Sequence, residues 1–274
     1  MKILHKGLSN MTYAIDIHVH VFPDELADRA VTSLAAAANI KSYGTGTIRD
    51  LLERMDGANV RRAVLVSIAT RPAQVKKIND WLWKQRSERL IPFAAVHPDD
   101  PELFNEIRRV QAMGFKGVKL HPNYQEFYPD EERIIELGRA LADAGLILLL
   151  HGGVDWAFEE VKASPSRIAR LKEAVPALKL VVAHLGGYER WMEVEQTLVG
   201  SDVYFDVSFT LPYLKIDDFF RIARKHGVEK LLFGTDYPWQ DMAEGIALLS
   251  ETGLTEEELT AILHGNAERL LNLE

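Results

Sequence analysis

Short apolar runs, most of them closed by a polar residue, recur along the whole chain. They cover residues 14–20, 62–68, 91–97, 117–121, 146–151, 180–184, 203–208 and 230–234. Runs such as Leu146-Ile147-Leu148-Leu149-Leu150 show no polar alternation, the pattern of parallel strands buried on both faces. Between them, 103–112, 130–144, 166–174 and 217–226 carry apolar residues at three- and four-residue spacing, which predicts amphipathic helices. Gly114, Gly145 and Gly227 follow such stretches, where a left-handed terminating residue is wanted. Pro129 and Pro165 suit helix starts.

Eight strands alternating with helices over this length predict an α/β fold, a (β/α)8 TIM barrel, in a single domain spanning residues 1–274. The competing open, doubly wound sheet usually carries a glycine-rich phosphate turn after its first strand. Here the first run leads into Val21-Phe22-Pro23 instead. The next connection is long, with predicted helices over 24–38 and 48–55 around a Gly/Ser/Thr segment at 42–47. One helix is enough for a crossover, so residues 22–47 are expected to form a helical insertion over the barrel mouth. Residues 1–10, ahead of Met11, read as an N-terminal extension.

Composition works mainly by exclusion. At 47% hydrophobic residues the 274-residue chain can build a large core. A net charge of −8 argues against nucleic-acid partners, which need a basic face. No basic cluster suits an anionic membrane, and no run approaches the ~20 apolar residues of a membrane span. Without the apolar stretch of a signal peptide at its start, the chain is expected to be cytoplasmic. There are no cysteines, so disulfides, thiolate catalysis and Cys-bound zinc are excluded. A metal here would need His, Asp or Glu.

In a (β/α)8 barrel, catalytic groups come from the C-terminal ends of the strands. Six of the nine histidines fall there: His18, His20, His97, His121, His151 and His184. His18 and His20, two apart on a strand, project from one face and supply half of a transition-metal site. Lys119 shares its strand with His121, and Asp236 follows the last run. Phe22, Tyr124, Trp156, Tyr237 and Trp239 also follow strand ends and are candidates to line a substrate pocket. Each feature alone has a plainer reading: a polar patch for His-x-His, a strand stop for His97-Pro98, core aspartates for Asp16 and Asp206, loop packing for the aromatics.

The ordered set is more specific. Asp16-Ile17-His18-Val19-His20, Gly117-Val118-Lys119-Leu120-His121-Pro122 and His151-Gly152-Gly153 are followed by Ala183-His184-Leu185-Gly186-Gly187 and Phe233-Gly234-Thr235-Asp236-Tyr237-Pro238. Gly265-Asn266-Ala267-Glu268-Arg269-Leu270-Leu271 comes last. With these motifs the chain, over roughly residues 13–273, resembles the amidohydrolase superfamily, in the branch that includes aminocarboxymuconate-semialdehyde decarboxylase and the resorcylate-type decarboxylases. The resemblance implies His18, His20, His151 and Asp236 as metal ligands and His184 as the acid/base. Asp236 would share in proton transfer, and His121 and Lys119 would meet the substrate. In some members of the superfamily a lysine on the fourth strand is carbamylated and bridges two metals. A plain Lys119 is the expectation here.

Three imidazoles and one carboxylate suit one divalent ion, with zinc expected and manganese as its rival. The expected reaction is hydrolysis of an amide, ester or lactone of a small organic acid by metal-activated water. The alternative is non-oxidative decarboxylation of an unsaturated or aromatic acid. A second alternative is a barrel that binds metal or ligand without turnover. A homodimer is implied by the resemblance alone.

Overall fold

Each apolar run becomes a strand, and every strand pairs in parallel with its neighbour. The computed structural model describes residues 13–273, so the expected extension at 1–10 lies outside them. β1 (Ala14–His20) pairs with β2 (Val60–Val66), and β2 with β3 (Leu90–Pro92). A second ladder runs in order through β4 (Ala94–Ala95), β5 (Gly117–Leu120), β6 (Ile147–Leu150), β7 (Leu180–Val182), β8 (Tyr204–Asp206) and β9 (Leu231–Leu232). β3 and β4 are two halves of one barrel strand. Pro92 sits at the break and has no N–H with which to continue the ladder. The Phe93 N–H still reaches the Leu65 carbonyl at 2.9 Å. The ring closes where the Ile17 N–H meets the Phe233 carbonyl at 3.0 Å and the His20 N–H meets the Tyr237 carbonyl at 2.7 Å. The architecture is the (β/α)8 barrel anticipated from the strand count.

The helices are α1 (Asp24–Ala38), α2 (Ile48–Gly57), α3 (Val75–Gln85), α4 (Leu103–Met113), α5 (Glu132–Asp143) and α6 (Pro165–Ala174). They continue with α7 (Trp191–Thr197), α8 (Ile216–His226), α9 (Met242–Ser250), α10 (Glu256–Thr260) and α11 (Asn266–Leu271). Local chemistry sets their ends. The Thr47 hydroxyl accepts the Asp50 N–H and caps α2, Pro165 opens α6, and Gly114 closes α4 at φ 95°. α1 leads towards the barrel mouth, where its Leu34 and Ala38, with Ile40, line the central cavity. Among the described residues no helix is long and apolar enough to cross a membrane.

Strand alternation sorts the core into two layers. Leu148 and Leu150 join the cluster that holds Ile134, Leu137 and Leu141 of α5, so they face the helices. Ile147 and Leu149 point the other way and pack with Val64, Val66, Phe93, Val181 and Leu232 inside the barrel. α11 adds Ala267, Leu270 and Leu271 to this inner cluster. β1 breaks the regular pairing. Ile15 and Ile17 belong to the inner cluster, and the register then slips between Asp16 and Val19. Such a bulge re-aims the following side chains, so His18 and His20 also turn into the barrel. Leu149 is fully buried in this inner layer. Leu149→Ala is expected to lower the unfolding free energy by about 2–5 kcal/mol, measured by denaturant titration.

Candidate active site

The strand C-terminal ends surround a cavity of about 220 Å³. His18, His20, Lys119, His121, His151, His184 and Asp236 line its floor, and Phe22, Tyr124, Trp156 and Trp239 stand around them. Tyr237 is the exception among the sequence candidates and is corrected here. It is fully buried, its hydroxyl donates to Asp50 Oδ2 at 2.6 Å and accepts the Gly46 N–H at 3.1 Å, and it does not line the cavity. The ring ties the loop before α2 to the barrel. Asp155, Tyr188 and Phe209 do line the cavity and were missed. Asp155 and Tyr188 follow the glycine pairs after His151 and His184, so the rule that selected Trp156 reaches them too. His97 caps its own turn by accepting the Asp99 N–H at 3.1 Å, as a strand stop would.

The wiring begins at Asp206. Its Oδ2 accepts the His18 Nδ1–H at 3.0 Å, which leaves His18 Nε2 a bare lone pair. That lone pair stands 3.2 Å from Asp236 Oδ1, and His20 Nε2 stands 3.1 Å from the same oxygen. Lys119 Nζ donates to His18 Nε2 at 2.9 Å. Asp206 Oδ1 also accepts the His184 and Ser208 N–H groups, at 3.1 and 3.0 Å. Asp16 plays a different part. It reaches the backbone of His18 and both the N–H and the hydroxyl of Thr235, and so joins the two strand ends that carry His18 and Asp236.

Burial decides the charges. It lowers His18 to about 4, helped by the Lys119 charge, and it drives His121 and His151 well below the usual imidazole range. It also lowers Lys119 to about 8, against the pull of Asp236 and Asp206. Burial opposes ionisation of Asp236, but His18 and His20 overcome it and hold this carboxyl well below its ordinary value. Asp16 is pushed up to about 7 by burial despite its hydrogen bonds.

These donors fit a divalent metal. The His18 lone pair crowded against a carboxylate oxygen repels unless a cation is shared between them, and His18, His20 and Asp236 offer three potential ligand atoms within 4.8 Å of one another. His151 stands apart from this trio. Its Nδ1 is 3.2 Å from His184 Nε2, and its buried Nε2 has no partner. It falls instead within a group containing His121 and Asp155. The His121 and His151 rings are stacked, 4.0 Å apart and tilted by only 14°. Their in-plane lone pairs therefore run side by side and do not converge on one ion.

Residues 15–273 match the family model described as amidohydrolase. The chain belongs to the amidohydrolase family. A curated relative, the gamma-resorcylate decarboxylase of a Polaromonas species, is 25% identical over 253 residues, spanning 72% of this chain and 76% of the relative. The fold is shared with a 2,6-dihydroxybenzoate decarboxylase solved with 2,6-dihydroxybenzoate, at TM-score 0.72 and 17% identity, over 96% of this chain and 100% of the other. A dihydroxybenzoic acid decarboxylase from Polaromonas, solved with manganese and the inhibitor 2-nitroresorcinol, gives TM-score 0.71 and 18% identity over 96% and 98% of the two chains.

The expectation of an enzyme of the amidohydrolase superfamily therefore stands, but the expected reaction does not. These relatives are named for carbon–carbon cleavage, which overturns hydrolysis of an amide, ester or lactone in favour of the decarboxylase alternative. Five imidazoles, a lysine and a carboxylate on the cavity floor served either chemistry, so the residue types did not separate them.

The buried imidazoles fix a pH dependence for the metal-free amidohydrolase. His18, His121 and His151 have folded values below the 6.5 of an unfolded imidazole. Below pH 6.5 the unfolded chain takes up protons that the folded chain refuses, so stability is full above 6.5 and falls as pH drops towards 4. Unfolding free energies in chelator should decline by about 1.4 kcal/mol per pH unit for each such histidine, offset by the same amount for Asp16, whose raised value works the other way between pH 7 and 4. A flat profile across that window would contradict the burial account.

Proposed function

We propose that this amidohydrolase is a metal-dependent, non-oxidative decarboxylase of an aromatic or unsaturated carboxylic acid. The observation that carries the reading is the cavity, a His/Asp floor under aromatic walls, in a chain whose curated relative is named as a decarboxylase. A cavity of about 150 Å³ already holds benzene, so about 220 Å³ has room for one ring and its substituents.

His18, His20 and Asp236 would hold the ion, with His151 as the fourth ligand through its free Nε2. Manganese is the ion we propose, because a neighbour of the same fold was solved with it; zinc is the other ion such a donor set accepts. When bound, the metal supplies positive charge that anchors the acid and draws electron density towards it.

The chain's own residues do the rest. Phe22, Tyr124 and Trp156 flank the ring and exclude water, which favours departure of neutral CO₂ from a charged carboxylate. As the carbon–carbon bond breaks, its electron pair stays on the substrate carbon, and that carbon takes one proton. His184 is the proposed donor. Its Nδ1–H is fixed by the Ser208 carbonyl at 3.1 Å, so Nε2, on the cavity side, is the atom that takes up a second proton and passes it to the carbon once His151, 3.2 Å away, has turned to the metal. Its backbone is held in the left-handed region at φ 60°, and Asp236 is held likewise at φ 57°. Non-glycine residues adopt that conformation at a cost, and such strain gathers at functional sites. Lys119 and His121 are proposed to meet the substrate's oxygens, and Asp236 stays ionised beside them.

The test is CO₂ release from hydroxybenzoates and unsaturated acids by the manganese-loaded protein. His184→Asn should retain manganese and lower kcat by about 10²–10⁴. No CO₂ from any of these acids would contradict the reaction, and an unchanged rate in the variant would remove His184 from proton transfer.

A further inference from the structure

The charges around the cavity are unevenly placed, and this bears on which acids can enter. Leu34 and Ile40 form one side, Ile68 stands after β2, and Val154 and Trp156 flank Asp155 after β6. Asp155 is the acidic group of this wall. Its side chain is only 13% exposed, and both of its oxygens are held. Oδ2 lies 3.2 Å from His121 Nε2, and Oδ1 accepts the Ala157 N–H at 2.8 Å. A carboxylate fixed at both oxygens does not swing out to solvent, so its charge stays on the wall. His121 is itself buried beside it. Among the described residues that line the cavity, Lys119 is the cation, and it sits on the floor against His18 Nε2.

One substrate carboxylate therefore finds positive charge on the floor. A second, carried further along the substrate, would enter an apolar space that already holds an anion. Burying a charge without a partner is costly, and like-charge juxtaposition adds to that cost. Rejection of this kind is how a site discriminates between ligands of the same shape.

We propose, building on the decarboxylase reading, that the site takes acids with a single carboxylate on a neutral body, and that Asp155 turns away acids carrying a second. The selectivity belongs to binding, so it is separable from turnover. The experiment is calorimetric titration of the manganese-loaded protein with 2-hydroxybenzoates bearing either a nitro group or a second carboxylate at the same ring carbon. The two substituents are planar and alike in shape and differ in charge.

The nitro compound should bind about ten-fold or more tightly than its carboxylate twin. In Asp155→Asn that ratio should shrink towards unity. Equal binding, tighter binding of the dicarboxylate, or no binding of the nitro compound would overturn the proposal. A ratio unmoved in a folded Asp155→Asn would overturn the part given to Asp155, and the wild-type comparison stands even where the variant does not fold. Should the nitro preference hold while no acid loses CO₂, the reaction assignment fails and the selectivity survives. CO₂ release without any charge preference would do the opposite: the reaction stands and the selectivity falls.

Discussion

The bond between Asp206 and His18 Nδ1 is the constraint on which the site depends. It fixes one tautomer deep in the barrel and leaves Nε2 as a lone pair facing a carboxylate. A lone pair and a carboxylate oxygen at hydrogen-bond distance, both buried, are unfavourable without positive charge between them. Lys119 supplies part of that charge from β5. The same Asp206 receives the backbone of His184 and Ser208, and Ser208 in turn holds the His184 ring. One buried carboxylate thus sets both the group proposed to bind metal and the group proposed to move a proton.

The barrel makes this arrangement possible because it closes. Parallel pairing sends the C-terminal end of every strand to one side, and the link from β1 to the segment after β9 brings residues 18 and 236 together. The bulge in β1 then turns His18 and His20 inward after Ile15 and Ile17 have filled the lower core. The aromatic residues follow the same strand ends, so an apolar chamber forms directly above the polar floor.

Much of this was legible in the sequence. Unalternating runs such as Ile147–Leu150 announce strands covered on both faces, and glycines after His151 and His184 mark where strand gives way to loop. What could not be read depends on local direction. Tyr237 and Trp239 look equivalent in sequence, yet Tyr237 turns away to Asp50 while Trp239 lines the cavity. The division of labour between Asp16 and Asp206 was equally hidden. Both sit in strands, but Asp16 grips the His18 backbone and Thr235, while Asp206 grips backbone and a ring. The split at Pro92 and the helices α3, α7 and α9 escaped a reading based on periodicity. The reaction itself was misjudged because the groups that activate water and the groups that release CO₂ are of the same kind.

The central claim is that Asp206 poises His18, with His20 and Asp236, to hold one divalent ion. Its most direct test is anomalous diffraction from crystals of the manganese-loaded protein. The account predicts one anomalous peak per chain, bonded to His18 Nε2, His20 Nε2 and Asp236, with the His151 ring turned out of its stack on His121 to complete the set. A peak held instead by His121 and Asp155, or none beside His18, would contradict it.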